Sequence, residues 1–414
     1  MAGMWLSLIP AFSQSIREEV YSNPDKAGGV YYMYTFRENH KLTPPPRGYT
    51  PFYLSHYGRH GARYLMNETQ YDRSLSVLNA AHEQGALTPE GERIWETANA
   101  YYEETCRYRY GDLTPKGWDQ HFRIAQEIYR DNRKLFRLHP TVTAGATQVP
   151  RCIVSMTAFC LGLEKMDPSL EVYAQASTYE LDELNPHASE NPRRALPAME
   201  EGRYARKDPW GTDLKGFIDS RVDYMSIAGR IFKDPDFPKP FRGTRAFVTD
   251  FYDLVFNMQC TTTGRSLMDV FTPDECYALW EVNNYIHYME SAPPATQRDY
   301  PALVNLVADA DRAIADGKPA VRLRFGHDTV FLYLISSMGA NGFGIVPSSA
   351  DGISATWANY RCPMAATFYL LFCRDKEGNV LFKLVMNGEE AVLPLTPVSA
   401  PWYSWSDMKD YLNL

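Results

Sequence analysis

Two short motifs, one early and one late, each stand where a strand pattern ends, and that pairing constrains the fold more than any other feature of the chain. Pro51 to Tyr57 (PFYLSHY) has strand composition, Gly58 reads as its break, and Arg59-His60-Gly61-Ala62-Arg63 follows directly. Ala320 to Phe325 (AVRLRF) reads as a second strand, followed by Gly326-His327-Asp328 and an apolar helix over Thr329 to Met338. Ligand-handling residues in α/β sheets collect at the carboxyl ends of strands. Both motifs are therefore expected at one edge of one sheet. Two further strands, Met364 to Arg374 and Asn379 to Met386, flank a turn at Asp375-Lys376-Glu377-Gly378.

Around these strands the pattern is helical. Residues 65 to 109 and 118 to 139 carry periodic apolar positions. Two helix starts repeat one signature, Leu87-Thr88-Pro89-Glu90-Gly91 and Leu113-Thr114-Pro115-Lys116-Gly117, with Thr as N-cap and Pro as first helical residue. Residues 181 to 304 are polar and helical by turns, with Pro-rich breaks. At 414 residues the chain exceeds one comfortable core. The expected fold is α/β, a large core with a mostly parallel central sheet flanked by helices, plus a smaller inserted all-helical domain. The core is assigned to residues 48–64, 110–180 and 305–414, and the helical cap to 65–109 and 181–304.

Composition removes several function classes. A net charge of −8 argues against general binding of nucleic acid or anionic membranes. The seven cysteines form no CxxC pair, and His40, His56, His82, His121, His139, His187 and His287 show no metal-ligand spacing. No nucleotide-binding P-loop and no G-x-S-x-G elbow occurs. No cofactor or metal is expected, and oligomeric state is left open. Residues 1–14 read as a residual leader, because the apolar run Met4 to Phe12 ends in Ser13-Gln14-Ser15 like the rear of an export signal. The expectation is an exported protein, periplasmic or at the cell surface, with no membrane span.

The first motif has a specific chemical meaning. Guanidinium groups are the preferred planar partners of phosphate oxygens, and Arg59 and Arg63 flank an imidazole. Their charge disfavours imidazolium, leaving His60 neutral and nucleophilic. A bare basic loop is the alternative, but these four fixed positions arise by chance in roughly one chain in a thousand of this length. In the second motif, His327 offers a donor to a phosphate oxygen. Asp328, if held protonated, offers an acid for the departing oxygen. Read alone, they are a loop histidine and a helix N-cap. The basic cluster Arg203, Arg206 and Lys207 reads as a solvated face that could instead meet extra phosphates.

Together, Arg-His-Gly-x-Arg early and His-Asp late resemble the histidine acid phosphatases, the acid-phosphatase and phytase branch of the histidine phosphatase superfamily. Gly111 to Trp118 resembles a segment found between those motifs. Val149 to Phe159, Phe325-Gly326-His327 and Asn387 through Leu395 are similar to the multiple inositol polyphosphate phosphatases. The resemblance spans roughly residues 48 to 175 and 305 to 398. It departs at Tyr64-Leu65, where the family usually has proline two residues after the second arginine. It departs again at His327-Asp328-Thr329, where the inositol polyphosphate branch carries His-Ala-Glu.

The resemblance implies roles: His60 phosphorylated, Arg59, Arg63, Arg151 and His327 holding the phosphate, and Asp328 giving the proton. Arg151 enters only through the resemblance. The implied activity is metal-independent hydrolysis of phosphomonoesters through phosphohistidine at acidic pH, with phytate or other inositol polyphosphates as substrate. The alternatives are a broad-specificity or sugar-phosphate phosphatase and, from another class, a non-catalytic phosphate-binding protein.

Overall fold

The computed structural model describes residues 10–37, 41–186, 209–292 and 300–414. Helix α1 (Pro10–Ser22) and an irregular arm precede strand β1 (Thr50–Arg59). Helices α2 (Glu68–Glu83), α3 (Pro89–Tyr101), α4 (Pro115–Asp131) and the short α5 (Arg133–Phe136) lead to β2 (Thr141–Ala146). Helix α6 (Pro150–Met166) joins β2 to β3 (Val172–Ala176). A helical stretch follows: α7 (Thr178–Leu184), α8 (Leu214–Arg221), α9 (Tyr224–Ile231), α10 (Thr244–Asn257), α11 (Pro273–Ser291) and α12 (Pro301–Asp316). The chain returns through β4 (Ala320–Gly326), α13 (Asp328–Ser337) and α14 (Ile353–Thr356) to the hairpin β5 (Thr367–Arg374) and β6 (Val380–Met386). Two short strands, β7 (Glu389–Glu390) and β8 (Tyr403–Ser404), and α15 (Trp405–Leu412) complete it.

All eight strands form one sheet in the order β3-β2-β4-β1-β5-β6-β7, with β8 beside β6. The half from β3 to β1 is parallel, as βαβ crossovers require. The half from β5 onward is antiparallel. Strand β1 is the seam, parallel to β4 on one side and antiparallel to β5 on the other. It is buried on both faces after its first residue, which is why its sequence shows no alternation.

Gly58 does not break this strand. It pairs with Phe325 and Thr367, and β1 runs on through Arg59. The residue is glycine for a packing reason: a Cβ there would lie 2.9 Å from Cε1 of His56, whose ring is packed against Phe159 and Phe325.

Apolar side chains gather in three clusters. On one face of the sheet Leu54, Val142 and Leu323 meet Ile124 and Phe159 from α4 and α6. On the other, Tyr57 and Leu370 meet Leu306 and Phe331 from α12 and α13. The third cluster, including Tyr71, Leu78, Ile94, Ile227, Phe251 and Trp280, draws mainly on the segments assigned above to the helical cap, and also on Ile16, Ala62 and Met364. No helix among the described residues is long and apolar enough to cross a membrane. All seven cysteines are buried free thiols. Residues 1–9 of the expected leader and the cluster Arg203, Arg206 and Lys207 lie outside the described residues.

Candidate active site

The loop after β1 is tied down by its backbone. Arg59 N–H donates to Ala366 O, His60 N–H to Gly326 O, and Ala365 N–H to His60 O. Gly61 N–H donates to Ser155 Oγ, and Ala62 N–H to Gln120 Oε1. His121 Nε2 lies 2.9 Å from Arg59 O, an acceptor only, so that nitrogen carries the proton. The glycine of the motif is set by α4, since a Cβ on Gly61 would fall 2.3 Å from Gly117 O. Four separate parts of the chain thus fix one pentapeptide.

That frame sets the tautomer of His60. Its ring is 2% exposed, and Nδ1 stands 2.9 Å from Gly61 O. A carbonyl can only accept, so Nδ1 is protonated and Nε2 keeps its lone pair. Burial, then Arg151, Arg59, Arg63 and His327, push the imidazolium well below its ordinary range. Neutral His60 is the form a nucleophile needs.

The three arginines reach this ring from different elements. Arg59 closes β1, is fully buried, and donates to Val30 O and Cys362 O. Its second terminal nitrogen lies 2.7 Å from the Asp328 carboxylate. Arg63 donates to Tyr64 O, with its guanidinium 5.6 Å from the centre of the Tyr31 ring. Arg151 follows Pro150 at the start of α6, and its guanidinium makes no hydrogen bond or ion pair with other described residues. In all three the Nε–H is buried without a partner. Buried donors left unpaired are costly in any fold, and an anion would satisfy them. Three arginines and one carboxylate leave the site doubly positive, the complement of a phosphate dianion.

The second motif lies beside the first. His327 caps α13, its ring centroid 5.8 Å from that of His60 at 70°. Its Nε2 is 3.4 Å from Thr147 Oγ1 and 3.9 Å from Cys152 Sγ. Burial and the arginines, led by Arg151, lower His327 to about 4 against the opposing charge of Asp328. The sequence reading made the acid role of Asp328 conditional on a protonated carboxyl, and the free site shows the opposite state. Burial alone would raise this group, but Arg59, His287, Arg63 and His327 outweigh it and hold it well below the usual carboxylate range. Its Oδ1 also accepts the Thr329 N–H.

All six predicted residues therefore converge at the ends of β1 and β4 and the start of α6. Sequence reasoning missed Thr147, Cys152, Ser155, Gln120 and His121, which hold the two motif loops. Ser155 was within reach, standing one turn beyond Arg151 on the same face of α6. Among the described residues no group of three His, Cys, Asp or Glu is arranged to hold a metal ion.

A sequence profile of the histidine phosphatase superfamily (branch 2) matches residues 58–387. The chain belongs to that superfamily. Among solved structures it is similar to the multiple inositol polyphosphate phosphatase of Bifidobacterium longum in complex with inositol hexasulfate, at 17% identity and a TM-score of 0.76, covering 94% of this chain and 97% of that one. It is also similar to the phytase of D. castellii, at 14% identity and a TM-score of 0.66, covering 94% and 84%. The Hafnia alvei phytase in complex with myo-inositol hexakis sulphate gives 14% identity and a TM-score of 0.57, covering 89% and 98%. At such identities the likeness is one of fold. No curated protein sequence matches the chain.

Proposed function

We propose that this protein hydrolyses phosphomonoesters through a phosphohistidine at Nε2 of His60, with inositol polyphosphates such as phytate as its substrate class. The supporting observation is an unprotonated Nε2 facing three arginines whose buried Nε–H groups have no partner. Arg59, Arg63, Arg151 and His327 hold the phosphoryl group, concentrating positive charge where negative charge develops. His60 attacks in line while the ester oxygen departs with a proton from Asp328. Water then cleaves the P–N bond.

Asp328 acquires its proton in the complex. A bound dianion offsets the arginine charge that holds the free carboxylate ionised, so the same group becomes a competent acid once substrate is seated. The substrate cleft lies between the carboxyl ends of β1 and β4 and the third apolar cluster, with that cluster acting as the helical cap. The apolar run Met4 to Phe12 supports export as the setting of this activity.

The inositol polyphosphate assignment rests on the relatives of similar fold that bind inositol hexasulfate and hexakis sulphate. The test is phosphate release from phytate and from an aryl phosphate, with chelator present, wild type beside His60→Ala. The expected result is chelator-indifferent activity on both substrates that falls by roughly 10⁴-fold or more in the variant. No release by the wild type overturns the reading and favours a phosphate-binding protein. A strong preference for the aryl ester retains the mechanism and replaces the substrate class.

A further inference from the structure

The loop that carries His60 leans on a second stretch of chain, residues 361–367, which runs from a short 3₁₀ turn at Asn359–Arg361 into β5. This strap meets the site through its backbone. Cys362 O accepts from the Arg59 guanidinium at 2.9 Å, and Ala366 O accepts the Arg59 N–H at 2.8 Å. Ala365 N–H donates to His60 O at 3.0 Å. Met364 O accepts from Gln120 Nε2, the amide whose oxygen holds Ala62 N–H. The strap is strained, for Ala365 is fully buried at φ +64°, a left-handed conformation that a residue with a Cβ rarely adopts. Such a backbone persists only where its surroundings over-determine it.

One side chain holds both ends of this strap. Asn387 Nδ2 donates to Arg361 O at 2.8 Å, and Asn387 Oδ1 accepts from Thr367 N–H at 3.0 Å. The Asn387 N–H donates to Thr367 O at 2.8 Å. Asn387 and Gly388 form the two-residue turn that pairs Met386 of β6 with Glu389 of β7, and both have positive φ, +50° and +80°. Such turns take Asn, Asp or Gly at the first of these positions. Of the three, only Asn supplies a donor and an acceptor together, one for Arg361 O and one for Thr367 N–H. Turn geometry alone therefore does not account for the residue.

We propose that Asn387 is a positioning residue for phosphoryl transfer, its amide fastening the strap that orients Arg59 and His60. This rests on the phosphohistidine reading above. Arg59 spends Nη1 on Val30 O and Cys362 O, which leaves Nη2 beside Asp328 and the buried Nε–H for the phosphoryl group. Freeing Arg361 O lets the neighbouring Cys362 O drift from Nη1. Freeing Thr367 N–H loosens the far end, where Ala365 and Ala366 hold the backbone of His60 and Arg59. Neither change deletes a phosphate contact, but both displace groups that must stand in line with the breaking bond. The cost therefore falls on the transition state, in kcat, and spares substrate binding.

The test compares two changes in one turn. Asn387→Gly removes both amide bonds and keeps the turn, since glycine adopts positive φ freely. Gly388→Ala strains the same turn, at φ +80°, and leaves the Asn387 amide in place. Wild type and both variants are assayed on 4-nitrophenyl phosphate below their melting temperatures, with orthovanadate, a mimic of the transferring phosphoryl group, as inhibitor. In Asn387→Gly kcat is expected to fall about 10-fold or more with KM within roughly threefold, and vanadate inhibition to weaken by a similar factor. In Gly388→Ala all three stay within roughly threefold. Amide hydrogen exchange at Ala365 should quicken in Asn387→Gly alone, which reads the strap independently of activity. Equal kcat losses in the two variants, no loss in Asn387→Gly, or a loss confined to KM overturns this inference and leaves the phosphohistidine reading standing. A wild type that releases no phosphate, or an active His60→Ala, overturns that reading and this inference with it.

Discussion

The pentapeptides Leu87–Gly91 and Leu113–Gly117 build the same device in two places. In each, the Thr hydroxyl accepts from the Gly N–H, at 2.9 Å for Gly91 and 3.2 Å for Gly117, and Pro opens the helix. In each, the Thr N–H donates to a foreign carbonyl, Ile231 O for Thr88 and Ala62 O for Thr114, while the hydroxyl finds its shortest acceptor in a second one, Arg230 O at 2.5 Å and Cys260 O at 2.8 Å. In each, the glycine lets the first carbonyl in, for a Cβ would fall 2.0 Å from Ile231 O at Gly91 and 2.3 Å from Ala62 O at Gly117. The leucines form matching bridges, to Phe232 and to Arg63. The difference is the cargo. One clamp seizes the end of α9, the other the loop that carries His60. Local sequence specifies the grip, and long-range packing decides what is gripped.

Breaking the glycines should show the largest contrast. Gly117→Ala forces the loop that carries His60 away from α4, and on the proposed mechanism kcat should fall about 100-fold or more, as it does when reacting groups are slightly displaced. Gly91→Ala should lower the melting temperature comparably and leave kcat per folded molecule within roughly threefold. Equal kcat losses would mean that both clamps serve the site. The threonines give a smaller version. Thr114→Ala and Thr88→Ala should each cost about 1–2 kcal/mol in denaturant unfolding, with a drop in kcat of roughly tenfold for Thr114→Ala alone.

The remaining contrast is in pH. Around the Thr114 clamp His60 and His56 are held well below their ordinary range and His121 is lowered to about 4, burial being the first cause in each. Below an unfolded pKa of about 6.5 the unfolded chain binds protons that the folded chain refuses. Stability should therefore fall as pH drops from about 6.5 towards 4. His121→Gln should flatten that slope in melting curves, and an unchanged slope would remove His121 as a contributor.

The legible parts of the molecule were those encoded locally. The Thr-Pro helix starts and the two motifs lie within short windows, and each stands where its local pattern placed it, at a helix start or at the carboxyl end of a strand. What escaped depended on distant partners. Gly58 looked like a break because the ring of His56 that needs its missing Cβ cannot be placed from sequence. Arg151 was indistinguishable from a surface arginine until α6 aimed it at His60. The ionised state of Asp328 follows from Arg59, far away in the chain and adjacent in space.

The placing of His60 at the seam of the sheet has a consequence for how activity is lost. Its flanking amides bond to β4 on one side and to the start of β5 on the other, in the interior of the sheet and away from any edge. Fraying of termini or surface loops leaves those bonds intact. Amide hydrogen exchange at Arg59 and His60 should then require global opening, and heat inactivation should track that same event. His60 keeps its place as long as the sheet does.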